Sequence, residues 1–157
     1  MYALKKVKPL VLHVVVALDL DHFNEVVRKA AWPRYSPNPI TGLLSRLVED
    51  LVIKRRGIVI YGLDWDRGTE EAVIEFVEPD LEDLLLDLED LRRRIEEAGK
   101  TSGTGVTLSI GVSKYEAPDG VKPVKDRRAL KSSPYRYLAL KALRKAKRLG
   151  GNRLVIV

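Results

Sequence analysis

Hydrophobic residues alternate between two periods along this chain. Leu10 to Leu18 is a continuous aliphatic and β-branched run broken only by His13, a pattern that predicts a central strand covered on both faces. From His22 to Ala31 the period becomes helical: Phe23, Val26, Val27, Ala30 and Ala31 fall three and four apart, Asp21 is placed to cap, and Trp32-Pro33 ends the segment. Pro33, Pro37 and Pro39 then predict a rigid loop. Thr41 is placed to cap a second helix with Leu43, Leu44, Leu47, Val48, Leu51 and Val52 as its apolar stripe, closed by Arg55-Arg56-Gly57. Two strands, 58–63 and 71–77, joined by a polar turn at 64–69, predict an antiparallel hairpin. A third helix runs from about Pro79 to Ala98, opened by Pro79-Asp80 and stopped by Gly99. A strand at 106–112 follows, then an extended basic loop over 114–133, a helix from Pro134 to Leu149 ended by Gly150-Gly151, and a short strand at 154–157.

The order β-α-α-β-β-α-β-α-β predicts an α+β fold: a ferredoxin-like palm with a mostly antiparallel sheet, one face covered by helices. A length of 157 residues suits a single domain spanning 1–157, with enough core to stand without disulfides, and no internal repeat is visible. The apolar run at 10–18 ends in Asp19-Leu20-Asp21 with no small-residue cleavage site, so it reads as a buried strand and not a signal peptide. No stretch approaches the ~20 apolar residues of a membrane helix, and a cytoplasmic location is expected.

Composition narrows the chemistry. There is no cysteine and there are only two histidines, which excludes thiolate chemistry and a histidine-rich zinc site, so any metal is held by oxygens and is a hard ion such as Mg²⁺ or Mn²⁺. A charged fraction of 32%, with one methionine and no glutamine, points to a thermophilic source. The net charge of +6 is unevenly distributed: 78–97 is acidic as far as Arg92, and 122–153 is strongly basic, a segment that attracts the phosphates of a nucleotide or a nucleic acid.

Asp19 and Asp21, two apart at the carboxyl end of a buried strand, point to the same side of an extended backbone and form a candidate metal pair. Plainer roles fit the same residues: Asp21 as a helix cap, Asp19 as a strand exit. Asp64 and Asp66 in the hairpin turn supply a possible third carboxylate to the same ion, or ordinary turn chemistry.

Four segments in order carry a family resemblance. Asp19-Leu20-Asp21-His22-Phe23 is similar to the Asp-x-Asp-x-Phe opening of GGDEF-type diguanylate cyclases, and Tyr61-Gly62-Leu63-Asp64 sits where their Tyr-Gly-Gly-Asp-Glu-Phe hairpin would be. Thr107 to Val112 resembles their Ser-Ile-Gly-Val strand, and Ala142 to Arg153 their closing Ala-Leu-Tyr-x-Ala-Lys-x-x-Gly-x-Asn-Arg. The resemblance implies a nucleotidyl-cyclase palm that binds a nucleoside triphosphate, GTP favoured, with Mg²⁺ or Mn²⁺. On this chain it implies Asp19, Asp21, Asp64 and Asp66 at the metal and Phe23, Asn24, Asn38, Lys147 and Arg153 at the nucleotide. Asn24 and Val27 stand where the family carries its phosphate lysine and guanine asparagine, while Leu63 and Trp65 alter the hairpin; both departures argue against conventional cyclic di-GMP synthesis. Ser36-Pro37-Asn38-Pro39 with Leu44 to Leu51, Gly57 and Tyr61 also resembles one half of archaeal GTP cyclohydrolase III, a tandem-palm, metal-using enzyme, which implies a homodimer here. Two other functions stay open: a palm that no longer catalyses and serves as a nucleotide sensor or assembly module, and nucleic-acid binding through Lys122, Lys125, Arg127, Arg128 and Lys131 of the 122–131 loop.

Overall fold

In a computed structural model, residues 8–33, 35–118 and 120–157 are described; the start of the chain before Lys8, and Arg34 within the proline-rich loop, lie outside that set. The elements run β1 (Leu10–Asp21), α1 (Phe23–Ala30), α2 (Pro39–Arg55), β2 (Ile58–Tyr61), β3 (Glu71–Val77), α3 (Leu81–Ser102), β4 (Thr107–Pro118), α4 (Arg127–Leu130), α5 (Pro134–Arg148) and β5 (Leu154–Ile156). They build one five-stranded sheet in the order β2-β3-β1-β4-β5, antiparallel except for the β4–β5 pair. The expected α+β palm is what forms. Among the described residues no helix is long and apolar enough to cross a membrane.

β1 is the centre of the sheet and buries both faces, as its apolar run predicts. Val14, Val16, Leu18 and Leu20 join the larger core with α1, α2 and α3, including Ile40, Leu44, Val48, Leu84, Leu88 and Ile95. Val15 and Ala17 face the other way, into a smaller core with Leu130 of α4 and Ala139, Leu140 and Leu143 of α5. Helices therefore lie on both faces of the sheet, not one, because the strand that precedes α5 and the strand that precedes α1 deliver their helices to opposite sides. The parity has a functional result. Asp19 and Asp21 continue the odd-numbered series and come out on the α5 side.

Several local expectations shift. Asn38, not Thr41, caps α2: its Oδ1 accepts from the backbone N–H of Ile40 and Thr41, both at 2.9 Å, while Thr41 Oγ1 accepts from Asn38 N at 3.0 Å, a reciprocal capping box. Asp21 does not cap α1; His22, in the left-handed region, holds that position without a side-chain bond. α3 runs through Gly99 and ends at Gly103. Gly99 is a contact point: a Cβ there would lie 2.2 Å from the carbonyl oxygen of Val106. β4 continues to Pro118, well into the expected loop, because β1 itself begins at Leu10 and pairs with it over that whole length. The remaining basic segment also winds one short turn, α4, capped by Asp126.

α5 rests directly on β4 at Gly111, where a Cβ would meet Leu143 N at 2.2 Å and Ala139 O at 2.3 Å. Both obstacles are backbone, so neither can rotate away. Gly111→Ala is expected to cost about 3 kcal/mol through overpacking, read as a lowered midpoint with unchanged slope in chemical denaturation. Gly103→Ala, which meets nothing within 4 Å, provides the contrast in which only a strained φ of 73° is at stake.

Candidate functional site

β1 ends between β3 and β4, and the residues facing its last turn of backbone come from both. Asp19 is paired in register with Glu71 on one side and Ser109 on the other; Asp21 is opposite Thr107. Directly opposed residues of antiparallel strands share a face, so Asp19 and Glu71 stand side by side. The Leu20 N–H donates to the carbonyl of Glu70 at 3.0 Å and prolongs that pairing one step beyond the strand.

The two aspartates differ in what surrounds them. Asp21, 4% exposed, accepts four hydrogen bonds: at Oδ1 from Ser109 Oγ (2.7 Å) and Lys147 Nζ (3.1 Å), and at Oδ2 from Thr107 Oγ1 (2.7 Å) and the Asn152 N–H (2.8 Å). A carboxylate offers about four lone-pair positions, and all are used. Although burial opposes it, this set of donors, the Ser109 and Thr107 hydroxyls foremost, holds the Asp21 carboxyl below the usual carboxylate range. Gly151 makes the geometry possible, since a Cβ there would lie 2.9 Å from the Asp21 carboxyl carbon. Asp21 thus serves as an anchor joining β1, β4, α5 and the turn into β5.

Asp19 is 30% exposed and faces open space. Burial lifts its pKa to about 6, with Glu71 and Asp21 adding to the rise and Lys147 and Arg127 opposing it. Lys147 Nζ lies 3.8 Å from Asp19 Oδ1 and donates to the Leu20 carbonyl at 3.2 Å, and Arg127 lies 3.6 Å from Glu71. Asp19, Glu70, Glu71, Arg127 and Lys147, with Phe23 and Asn24, line a hollow of about 550 Å³.

A second hollow of about 570 Å³ adjoins it and shares Phe23, Asn24, Glu70 and Glu71. Its walls are α1, the loop around Tyr35 and Asn38, and the segment from Tyr61 to Gly68; Arg67 stacks over Tyr35 at 5.2 Å across the rim. Of the nucleotide candidates, Phe23 and Asn24 line both hollows, Asn38 lines the second while capping α2, and Lys147 lines the first. Arg153 lines neither, and its Nε donates to Gly151 O at 3.1 Å.

Asp64 and Asp66 are not brought to Asp19. Asp64 Oδ1 accepts from the N–H groups of Asp66 and Arg67, both at 2.9 Å, so its carboxylate organises the turn, and Asp66 lines neither hollow. Ser45 and Thr69 fasten that loop to α2 through a 2.7 Å hydroxyl contact, and Gly68 lies against Thr41 with no room for a Cβ. The carboxylate paired with Asp19 is Glu71, which the hydrophobic pattern assigned only to the start of a strand; Glu70 lines both hollows. A signal was present: Gly68-Thr69-Glu70-Glu71-Ala72 has the glycine-then-two-acids order of a Gly-Gly-Asp-Glu-Phe hairpin.

Among the described residues no group of three or more His, Cys, Asp or Glu side chains is arranged to hold a metal. Asp19 and Glu71 nevertheless fit a hard ion that takes few protein oxygens and completes its shell with water and phosphate, as Mg²⁺ does.

No protein-family profile matches the chain, and no curated protein sequence is similar to it. Solved structures are. The GGDEF domain of DgcB from Caulobacter crescentus, in complex with c-di-GMP, is 18% identical and superposes over 93% of this chain and 78% of that one with a TM-score of 0.61. The same protein's coiled coil and GGDEF domain gives 0.62 at 15% identity, over 94% and 70%. The monomeric guanylyl cyclase domain of the RhoGC fusion protein from the aquatic fungus Blastocladiella emersonii gives 0.50 at 15% identity, over 86% and 75%. The chain therefore shares the fold of these GGDEF and guanylyl cyclase domains.

Removing the Asp21 carboxylate strands four donors. Asp21→Ala is expected to lose about 3–5 kcal/mol of stability in denaturant titrations. Because the folded-state pKa lies below the ordinary 3.8, the carboxylate's contribution is present above that value and is lost as pH falls through the lower, folded one. Asp21→Asn should therefore show a flatter acid limb of stability against pH than the wild type.

Proposed function

We propose that this chain is a nucleotide-binding palm that takes a nucleoside triphosphate together with Mg²⁺ or Mn²⁺. The observation carrying this reading is the convergence, in the smaller hollow, of two carboxylates (Asp19 and Glu71) with two cations (Lys147 and Arg127). Phe23 supplies an apolar wall where the two hollows meet and Asn24 an amide; the larger hollow accepts the base and sugar between α1 and the Tyr61–Gly68 segment. The smaller takes the phosphates, with Lys147 and Arg127 as the charge-assisted donors.

A divalent ion on Asp19 and Glu71 would neutralise the phosphate charge, the chemistry on which phosphoryl and nucleotidyl transfer chiefly depend. Asp19 must lose its proton to act as a ligand, and Lys147 favours that loss. The anchored Asp21 fixes the strand end from which Asp19 projects and holds the Lys147 ammonium beside it. A nucleoside triphosphate ligand calls for a cytoplasmic location.

One feature favours a second reading. The Lys147 ammonium already lies against Leu20 O and the two aspartates, which suits a metal-free nucleotide sensor. Calorimetric titration of GTP and ATP, with and without Mg²⁺ or Mn²⁺, separates the two. The palm reading expects metal to tighten binding at least about tenfold, with the gain lost in Asp19→Ala and Glu71→Gln, and Lys147→Ala to weaken both arms by about tenfold. Binding that is indifferent to metal and to Asp19 selects the sensor; no binding of either nucleotide under any condition removes both.

A further inference from the structure

Charge is sorted between the two faces of the sheet. On the α2/α3 face part of the acidic run is paired within the chain. Asp87 pairs with Lys54 and Arg55, Asp90 with Arg94, Glu89 with Arg92, and Glu96 with Arg92 and Lys100. The α4/α5 face is the reverse: residues 122–153 hold twelve Lys and Arg against the single carboxylate of Asp126, which is engaged in capping α4.

Within that segment, ion pairs are made by Arg127, Arg136 and Lys147, whose partners lie on β1 and β3. Lys141, Arg144, Lys145 and Arg148 make none among the described residues, and all four are exposed. They are spaced three and four apart, on the side of α5 opposite Ala139, Ala142, Leu143 and Ala146, which it buries against the sheet. The stripe is about 10 Å long at the helical rise. Like charges at this spacing destabilise a helix by a few tenths of a kcal/mol per pair. The helix dipole offsets that for Lys145 and Arg148 in the last turn, but not for Lys141 and Arg144 further back. Lys141 is held over the Tyr137 ring at 4.8 Å, so it is not a wholly loose side chain. Arg128 and Lys131 widen the surface, because Leu130 between them packs into the same core as Leu140 and Leu143.

We propose that this outer face of α5 is a docking surface for the phosphate backbone of nucleic acid, bound without sequence reading. The partner that fits is a dense polyanion, since the stripe sets four cations without ion pairs among the described residues within about 10 Å, and Asp87, Glu89, Asp90 and Glu96 of the chain's own acidic run are already paired. A row of flexible cations on a convex helix meets phosphates and has no means of reaching base edges in a defined register. The surface is independent of the nucleotide reading: Lys147, which faces the hollow, lies on a different side of α5 from the stripe.

The test is fluorescence anisotropy with a labelled single-stranded RNA and a labelled duplex DNA of mixed sequence, on wild type and on the combined Lys141→Gln, Arg144→Gln, Lys145→Gln, Arg148→Gln variant. Glutamine keeps helix propensity, and matching thermal melts verify that the variant is folded. Wild type should bind with a log–log salt slope of roughly −3, as about four phosphate contacts require, and the variant should bind at least about tenfold more weakly with a shallower slope. GTP titrations should be the same for both proteins. Arg144→Glu alone should reproduce part of the loss. The proposal fails if neither oligonucleotide binds wild type at low salt, if the variant binds as tightly as wild type, or if phosphatidylglycerol vesicles bind the stripe while the oligonucleotides do not.

Discussion

A single buried carboxylate organises the functional end of this palm. Asp21 terminates the central strand and accepts from two hydroxyls of β4, the ammonium of α5 and the backbone of the turn into β5. β4, α5 and the turn into β5 are therefore referenced to one group. An ionised acid out of water is tolerable only if its lone pairs are filled, and the filling is what fixes the positions of its neighbours. Asn152 extends the arrangement, since its side chain accepts from Arg92 and donates to Glu96, tying the same turn to α3 on the far side of the sheet.

Anchoring one aspartate leaves the other available. Asp19 shares a strand face with Asp21 but has open space before it, a carboxylate opposite and two cations nearby, so its protonation lies within reach of neutral pH while that of Asp21 does not. A similar division of labour runs through the hairpin. Asp64 is spent on its own turn, while Glu70 and Glu71, at the entrance to β3, reach the site. Asp64, bonded within its turn, lines the larger hollow and not the one that holds Asp19, and Asp21 lines neither.

The wider charge distribution follows the same logic of paired and unpaired groups. α3 sets most of its acids beside basic partners from α2 and itself. α5 turns its apolar side to the sheet, lends Lys147 and Arg136 to the interior, and leaves its remaining cations outward. The packing is close enough to need glycine at Gly111 and Gly99, where backbone meets backbone.

The sequence by itself determined much of this. The apolar run of β1, the three-to-four stripes of α2 and α3, and the charge split between 78–97 and 122–153 are local patterns, and each became the element it suggested. So did the parity of Asp19 and Asp21, because side-chain direction in a strand depends only on spacing. The meaning of single residues was harder to read. Gly99 has the appearance of a helix stop and is a contact with Val106; Asn38 displaces Thr41 as a cap because a proline follows it. What only the tertiary structure decided is which groups meet. Thr107, Ser109, Lys147 and Asn152 come to Asp21 from 86 to 131 residues away, and Glu71 comes to Asp19 through a strand register set by a nine-residue loop folded onto α2. Those meetings depend on where whole elements pack and on the register of their pairing, and no spacing within one segment encodes either.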